Sequence, residues 1–169
     1  MGEKFLHGAA KRDAGNSPSA TSVSPRTPGL KRVRRTLKRS EILSGRNNFQ
    51  LVFKQGRKFQ GKYLHCLVLA DDHLKLREGS RIGAGFTAPG LLKRAVDRNR
   101  LKRLVREAYR LNKEILRAKL KHPSKPLALI FLYSSTVAGM PRFPTFAEID
   151  LDMKHLLQLL AEVHSGESA

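Results

Sequence analysis

At 169 residues, with 33 Lys and Arg against 14 Asp and Glu and a formal charge of +19, the chain has length for one domain with its own core and is far more basic than solubility requires. Such a field expects a polyanion, and among nucleic acid, an anionic membrane surface and an acidic protein, a basic excess favours nucleic acid. No apolar run approaches the ~18 residues of a spanning helix, the N-terminus lacks the apolar core of a signal peptide, and Cys66 has no second cysteine to pair with. A soluble protein of a reducing compartment, the cytoplasm, is therefore expected.

Residues 1–36 read as a disordered basic tail. The stretch NSPSATSVSPRTPG sets Pro18, Pro25 and Pro28 among small polar residues, with too little apolar surface to offset the entropy of ordering. The run KRVRRTLKR, Lys31 to Arg39, suits phosphates, an import address or a plain solvated arm. The Ser-rich basic composition also resembles an organelle transit peptide, although Glu3 and Asp13 interrupt that pattern.

The folded domain is expected over 37–165, with 166–169 as a flexible end. Between Asn47 and Gln55, Phe49, Val52 and Phe53 recur at i, i+3 and i+4. Asn47 or Asn48 can cap this segment and Gly56 can end it, which predicts a short helix. A short strand over Lys58 to Gln60 precedes YLHCLVLA, Tyr63 to Ala70, whose two alternating faces are both apolar, as in a strand covered on both sides or lining a groove. After the polar turn ADDHLKLREGS comes RIGAGFT, Arg81 to Thr87, where Gly83 and Gly85 leave one face of a strand flat for close approach of a backbone or ligand. KHPSKP then breaks the chain after a long basic helix, LALIFLY (Leu127 to Tyr133) is another buried strand, and a last helix opens at TFAE. There Thr145 and Glu148 have capping-box spacing, ahead of the apolar stripe Ile149, Met153, Leu156, Leu157 and Leu160. No internal repeat is present.

The basic helix, Asp97 to Leu116, divides sharply at 100° per residue. Leu101, Leu104, Val105, Ala108, Leu111 and Ile115 fall on an arc that must face a core. Opposite lie Arg98, Lys102, Arg103, Arg106, Arg110 and Lys113 around Asn99, with Glu107 and Glu114 only at the border. An ordinary solvated face alternates sign, whereas like charges at i,i+4 cost up to about 0.5 kcal/mol per pair. Such a face anticipates a polyanion. The guanidinium fork grips phosphate bidentately, and Asn99 can both donate to and accept from a ribose or base edge.

RIGAGFT followed closely by AVDRNRLKRLVREAYR resembles the signature of the protein subunit of bacterial ribonuclease P, in which an Arg-Asn-Arg core opens a long basic helix. FQLVFKQGR, Phe49 to Arg57, resembles the F-x-x-V-F-x-x-G pattern of that family's first helix, and the order of strands and the capped final helix agree. The resemblance spans about Leu37 to Val163. It implies an α/β (α+β) sandwich, a small mixed four-stranded sheet packed by about three helices, like the second domain of a small-subunit ribosomal protein, with a left-handed βαβ crossover into the arginine helix. It also implies a magnesium-dependent hydrolysis, performed by a catalytic RNA, that removes the 5′ leader of precursor tRNA, the protein assisting and the Mg2+ held mainly by RNA. Carried over, Arg98, Asn99, Arg100, Lys102, Arg103 and Arg106 would hold the catalytic RNA. Phe49, Phe53, His65 and Leu67 would line a groove for the single-stranded leader, where base stacking is worth about 1–3 kcal/mol per base; plain core packing is the other reading of the two phenylalanines. Arg57, Lys93, Arg94 and Arg110 would add RNA contacts.

One stretch departs from the family. Where its members carry a Lys-Lys pair, this chain reads APGLLKRAV, two residues longer, with Ala88 and Pro89 in place of the pair and Lys93 and Arg94 displaced along the chain. Catalysis by protein side chains is not expected: Asp71, Asp72 and His73 are the sole tight ligand-like group and sit in a turn where Asp is common for backbone reasons, and no phosphate-binding glycine loop precedes a helix. The expected partners are the catalytic RNA and precursor tRNA, with no metal site, membrane or protein partner. A ribosome-associated structural RNA-binding protein is the alternative reading.

Overall fold

The structure, a computed structural model, describes residues 36–88, 90, 92–120 and 123–166. The expectations for the tail, for Pro89 in the departing stretch and for residues 167–169 lie outside the described residues. In chain order come α1 (Arg46–Gln55), β1 (Arg57–Gln60), β2 (Leu64–Ala70), β3 (Ile82–Phe86), α2 (Ala95–Lys119), β4 (Leu127–Tyr133) and α3 (Phe146–Gly166), with short 3-10 turns at Arg39–Glu41 and Ser135–Gly139. The strands form one mixed sheet in the order β1-β2-β4-β3, in which only β3 and β4 run parallel. A parallel pair needs a crossover, and α2 supplies it.

Alternation along β2 splits the molecule into two layers. Leu64, Cys66 and Val68 are buried together with Leu129 and Phe131 of β4 beneath α2 and α3, where Leu101, Val105, Ala108 and Tyr109 meet Ile149, Met153, Leu156, Leu157 and Leu160. Each Leu, Ile, Val, Phe or Met side chain fully buried there contributes about 1.5–3 kcal/mol. Phe86, Tyr109 and Phe131 pack as an aromatic cluster with centroids 5.4–6.0 Å apart. Burial pushes the Cys66 thiol well above its ordinary pKa, so it packs as a small apolar group. On the other face α1 sets Val52 against Ala128 and Ile130, with Phe49, Leu67, Leu69 and Leu132 only partly covered. Because α1 is short, β2 is covered fully on one side and incompletely on the other.

The flat face predicted at Gly83 and Gly85 exists and is filled from within the chain. A Cβ at Gly85 would stand 2.9 Å from the Phe49 ring, and one at Gly83 would stand 2.8 Å from Leu76. The glycines thus let the first helix seat an aromatic ring directly on the strand.

Three expectations require correction. Neither Asn47 nor Asn48 caps α1: the N-cap is Gly45, at φ 89°, a conformation that favours glycine. Asn48 is buried and staples two loops, donating to the carbonyls of Ser44 at 2.7 Å and Lys75 at 2.9 Å and accepting from the Lys75 amide at 3.1 Å. On α2 the inward arc is rotated from the predicted one, with Tyr109, Asn112, Lys113 and Leu116 buried and Leu111 and Ile115 at its half-buried margin. Lys113 therefore leaves the basic face. Its side chain is 3% exposed and bonds the Glu41 carboxylate at 2.7 Å and the Thr36 carbonyl at 2.6 Å. The last helix opens as predicted: Glu148 accepts from the Thr145 amide at 2.7 Å, and Thr145 Oγ1 accepts from the Glu148 amide at 3.4 Å.

Candidate nucleic-acid interface

With its apolar arc docked on the sheet and α3, helix α2 holds its cations in a fixed outward array. Asn99, Arg100, Arg103 and Arg106 are exposed and Lys102 is half-buried. Among the described residues, Arg100, Lys102 and Arg103 make no ion pair, and Arg106 engages only the Phe86 ring, 5.9 Å from its centroid. Such unneutralised guanidiniums, one and two turns apart on a rigid helix, can take successive phosphates. Arg98 is different: its guanidinium donates to the carbonyls of Leu92 and Lys93, the latter at 2.9 Å. It ties down the loop ahead of α2 and is in part spent there. Arg110, expected as a further contact, is paired with Glu107, and that bond holds the Glu107 carboxyl below the usual range.

The second element is the partly covered sheet face beside α1, where the leader groove is expected. Phe49 packs over Gly85, and Phe53, one turn on, is 51% exposed. Parity places His65 and Leu67 on the same sheet face as Phe49, since Leu64, Cys66 and Val68 point to the other core. His65 and Leu67 therefore share the face on which the Phe49 ring is seated, with Phe53 exposed one turn further along α1. Lys58 pairs with Leu67 and Gln60 with His65 in register, so these two line the same face, which residue spacing alone did not single out. Arg57 lies on the opposite face of β1, its guanidinium 5.3 Å from the Phe59 ring centroid. Lys93 and Arg94 are exposed at the mouth of the crossover, Arg94 as the N-cap of α2. The Asp71 carboxylate accepts from the His73 amide at 2.8 Å, a turn-forming bond, and Asp72 pairs with Lys125. Among the described residues no three His, Cys, Asp or Glu side chains converge on one point, and no helix is long and apolar enough to cross a membrane.

Behind the basic face lies a buried ionic junction. Glu41 accepts from Lys113, from the Lys38 amide at 3.0 Å and from Arg117. Burial works to raise its pKa, and the bond from Lys113, then the Lys38 amide and the two cations, outweigh it and hold the carboxyl below its ordinary value. The junction fixes the segment before α1 onto α2, the helix that carries the arginines.

The family model described as Ribonuclease P matches residues 37–160. The ribonuclease P protein component of Chlorobaculum tepidum is 36% identical over 138 residues, covering 77% of this chain and 90% of that protein. That of Clostridioides difficile is 32% identical over 120 residues, covering 71% and 91%. Among solved structures, the RNase P protein from Thermotoga maritima aligns with a TM-score of 0.53 at 24% identity, over 70% of this chain and 96% of that one, a likeness of fold. The match over nearly the whole domain, together with relatives of this identity and coverage, establishes that the chain belongs to the ribonuclease P protein family.

Proposed function

We propose that this chain is the accessory subunit of a ribonucleoprotein endonuclease in which RNA performs the hydrolysis, with α2 holding the catalytic RNA and the groove beside α1 holding the 5′ leader of precursor tRNA. The observation that carries this reading is the run of exposed Asn99, Arg100, Arg103 and Arg106 with half-buried Lys102 on one rigid helix, its cations unneutralised within the described residues. Phosphates of a folded RNA supply the charge that this face lacks. The groove supports the second half: an exposed Phe53 beside the seated Phe49 offers stacking that tolerates any sequence, as a subunit serving many leaders requires.

In this division of labour the protein contributes positioning. Holding the leader beside α1 and the catalytic RNA on α2 of one rigid domain converts part of substrate capture into an intramolecular event, and the cations of α2 screen repulsion between two RNAs. Magnesium, in this reading, belongs to the RNA, and no chemical step passes through a side chain of this chain. The test is cleavage of a leader-bearing precursor tRNA by a bacterial ribonuclease P RNA at low magnesium, with and without the protein. Restored cutting at the mature 5′ end is the expected result. Tight RNA binding without stimulation would refute the reading and leave a structural RNA-binding protein.

A further inference from the structure

The groove floor carries one polar group that the fold itself leaves unused. Register places Gln60 beside His65 and His65 beside Leu132, one row across β1, β2 and β4. Thr87, whose amide bonds the Phe131 carbonyl at 3.0 Å, extends that row past the end of β3. The adjoining row holds Lys58, Leu67, Ile130 and Gly85, with the Phe49 ring seated over the glycine. His65 therefore lies on the floor next to the aromatic wall.

Its ring has a defined state. Burial first, and then the charge of Lys58, push its pKa below the ordinary histidine value, against the weaker pull of the Leu64 carbonyl and Asp152, so at neutral pH the imidazole is uncharged, with one N–H and one lone pair. Nδ1 is sealed in without a hydrogen-bond partner, and the Leu64 backbone beside the ring favours its protonated form only weakly against burial. Nε2 lies at the accessible edge of a half-buried side chain with no hydrogen bond to any described residue, and in the tautomer that keeps the proton on Nδ1 it is an acceptor.

An acceptor on a nucleic-acid platform selects a donor. Discriminating a base edge takes two fixed polar groups, and here the neighbours in the row and behind it are Leu132 and Leu67, while Gln60 is exposed on the edge strand and held by no hydrogen bond among the described residues. The donor that every ribonucleotide presents, and DNA lacks, is the 2′-hydroxyl.

We infer that His65 is the groove's ribose reader, its Nε2 accepting a hydrogen bond from the 2′-hydroxyl of one leader nucleotide stacked against the aromatic wall. The contact makes the groove selective for RNA over DNA strands without imposing a sequence. This inference rests on the leader reading above.

The experiment measures affinity of the holoenzyme, reconstituted from the full chain and a bacterial ribonuclease P RNA, for precursor tRNAs carrying single 2′-deoxy substitutions along the leader. With the wild-type chain, one position loses about 3–10-fold on deoxy substitution, the worth of one neutral hydrogen bond. His65→Phe abolishes that sensitivity, and His65→Gln, which keeps an acceptor oxygen, restores part of it; an unchanged salt dependence of catalytic-RNA binding shows both variants folded. The inference is overturned if no position responds, if the response persists in His65→Phe, or if base changes couple to His65 where deoxy changes do not. Failure of the leader reading itself looks different: tRNA without a leader then binds the wild-type holoenzyme as tightly as precursor tRNA.

Discussion

Replacing Arg100, Arg103 and Arg106 together with alanine removes three exposed guanidiniums while leaving the apolar arc of α2 untouched. Each phosphate contact contributes about 0.7–0.9 to the slope of log affinity against log salt, so the triple variant lowers the slope by about 2–3. Between about 50 and 200 mM salt, the wild type then loses roughly 20–40-fold more affinity than the variant. Arg98→Ala serves as the internal contrast. Its guanidinium is engaged by the carbonyls of Leu92 and Lys93, so this substitution alters the slope by less than half as much as Arg100→Ala, while loosening the loop ahead of α2. The assay is a salt titration of binding to the catalytic RNA, with circular dichroism to confirm the fold. A triple variant with an unchanged slope, or an Arg98→Ala slope change equal to that of Arg100→Ala, would refute the assignment of phosphates to this face.

Removing one member of the buried junction strands its partners: Glu41→Gln or Lys113→Met costs about 3–5 kcal/mol in urea unfolding, and the double variant recovers part of that loss. Since the folded pKa of Glu41 lies below its ordinary 4.5, the carboxylate's contribution is present above that pH and fades as pH falls through the depressed value; a Glu41→Gln chain whose stability drops by the same amount as wild type below about pH 4.5 would contradict this. A Cβ at Gly85 meets the Phe49 ring at 2.9 Å, so Gly85→Ala displaces the ring and costs about 1–3 kcal/mol. Affinity for leader-bearing tRNA falls with it while the salt slope for the catalytic RNA stays constant, and an unaltered leader affinity would remove Phe49 from the groove.

Much of this architecture was legible because periodicity is local. LALIFLY forms β4 over its full predicted length, and the RNR-bearing segment is helical from Ala95 to Lys119. The flat face of β3 was legible through Gly83 and Gly85, although what fills it at Gly85, the Phe49 ring of α1, was not. Residues whose roles depend on distant partners were misread or missed. Lys113 sits on a helix whose polar side is otherwise solvated, and nothing within a few residues reveals that Glu41, 72 positions earlier, takes it inward. Asn112 is likewise buried by a bond to Asp150 on α3, and Asn48 by the backbone of Lys75. Helical spacing fixes which side chains share an arc; the angle of that arc to the core is set by polar partners outside the window.

The bond set of Asp152 bears on how the chain is made. Its carboxylate accepts the amides of Lys62, Tyr63 and Leu64, each at 2.8 Å, across 88 to 90 residues, and Gly61 is kept free of a side chain by the same carboxylate. The turn joining β1 to β2 is thus closed by a residue of α3, which is synthesised after all four strands. A nascent chain leaving the ribosome carries this hairpin with three amides unanchored, and the turn takes its final shape only once the last helix has emerged and docked.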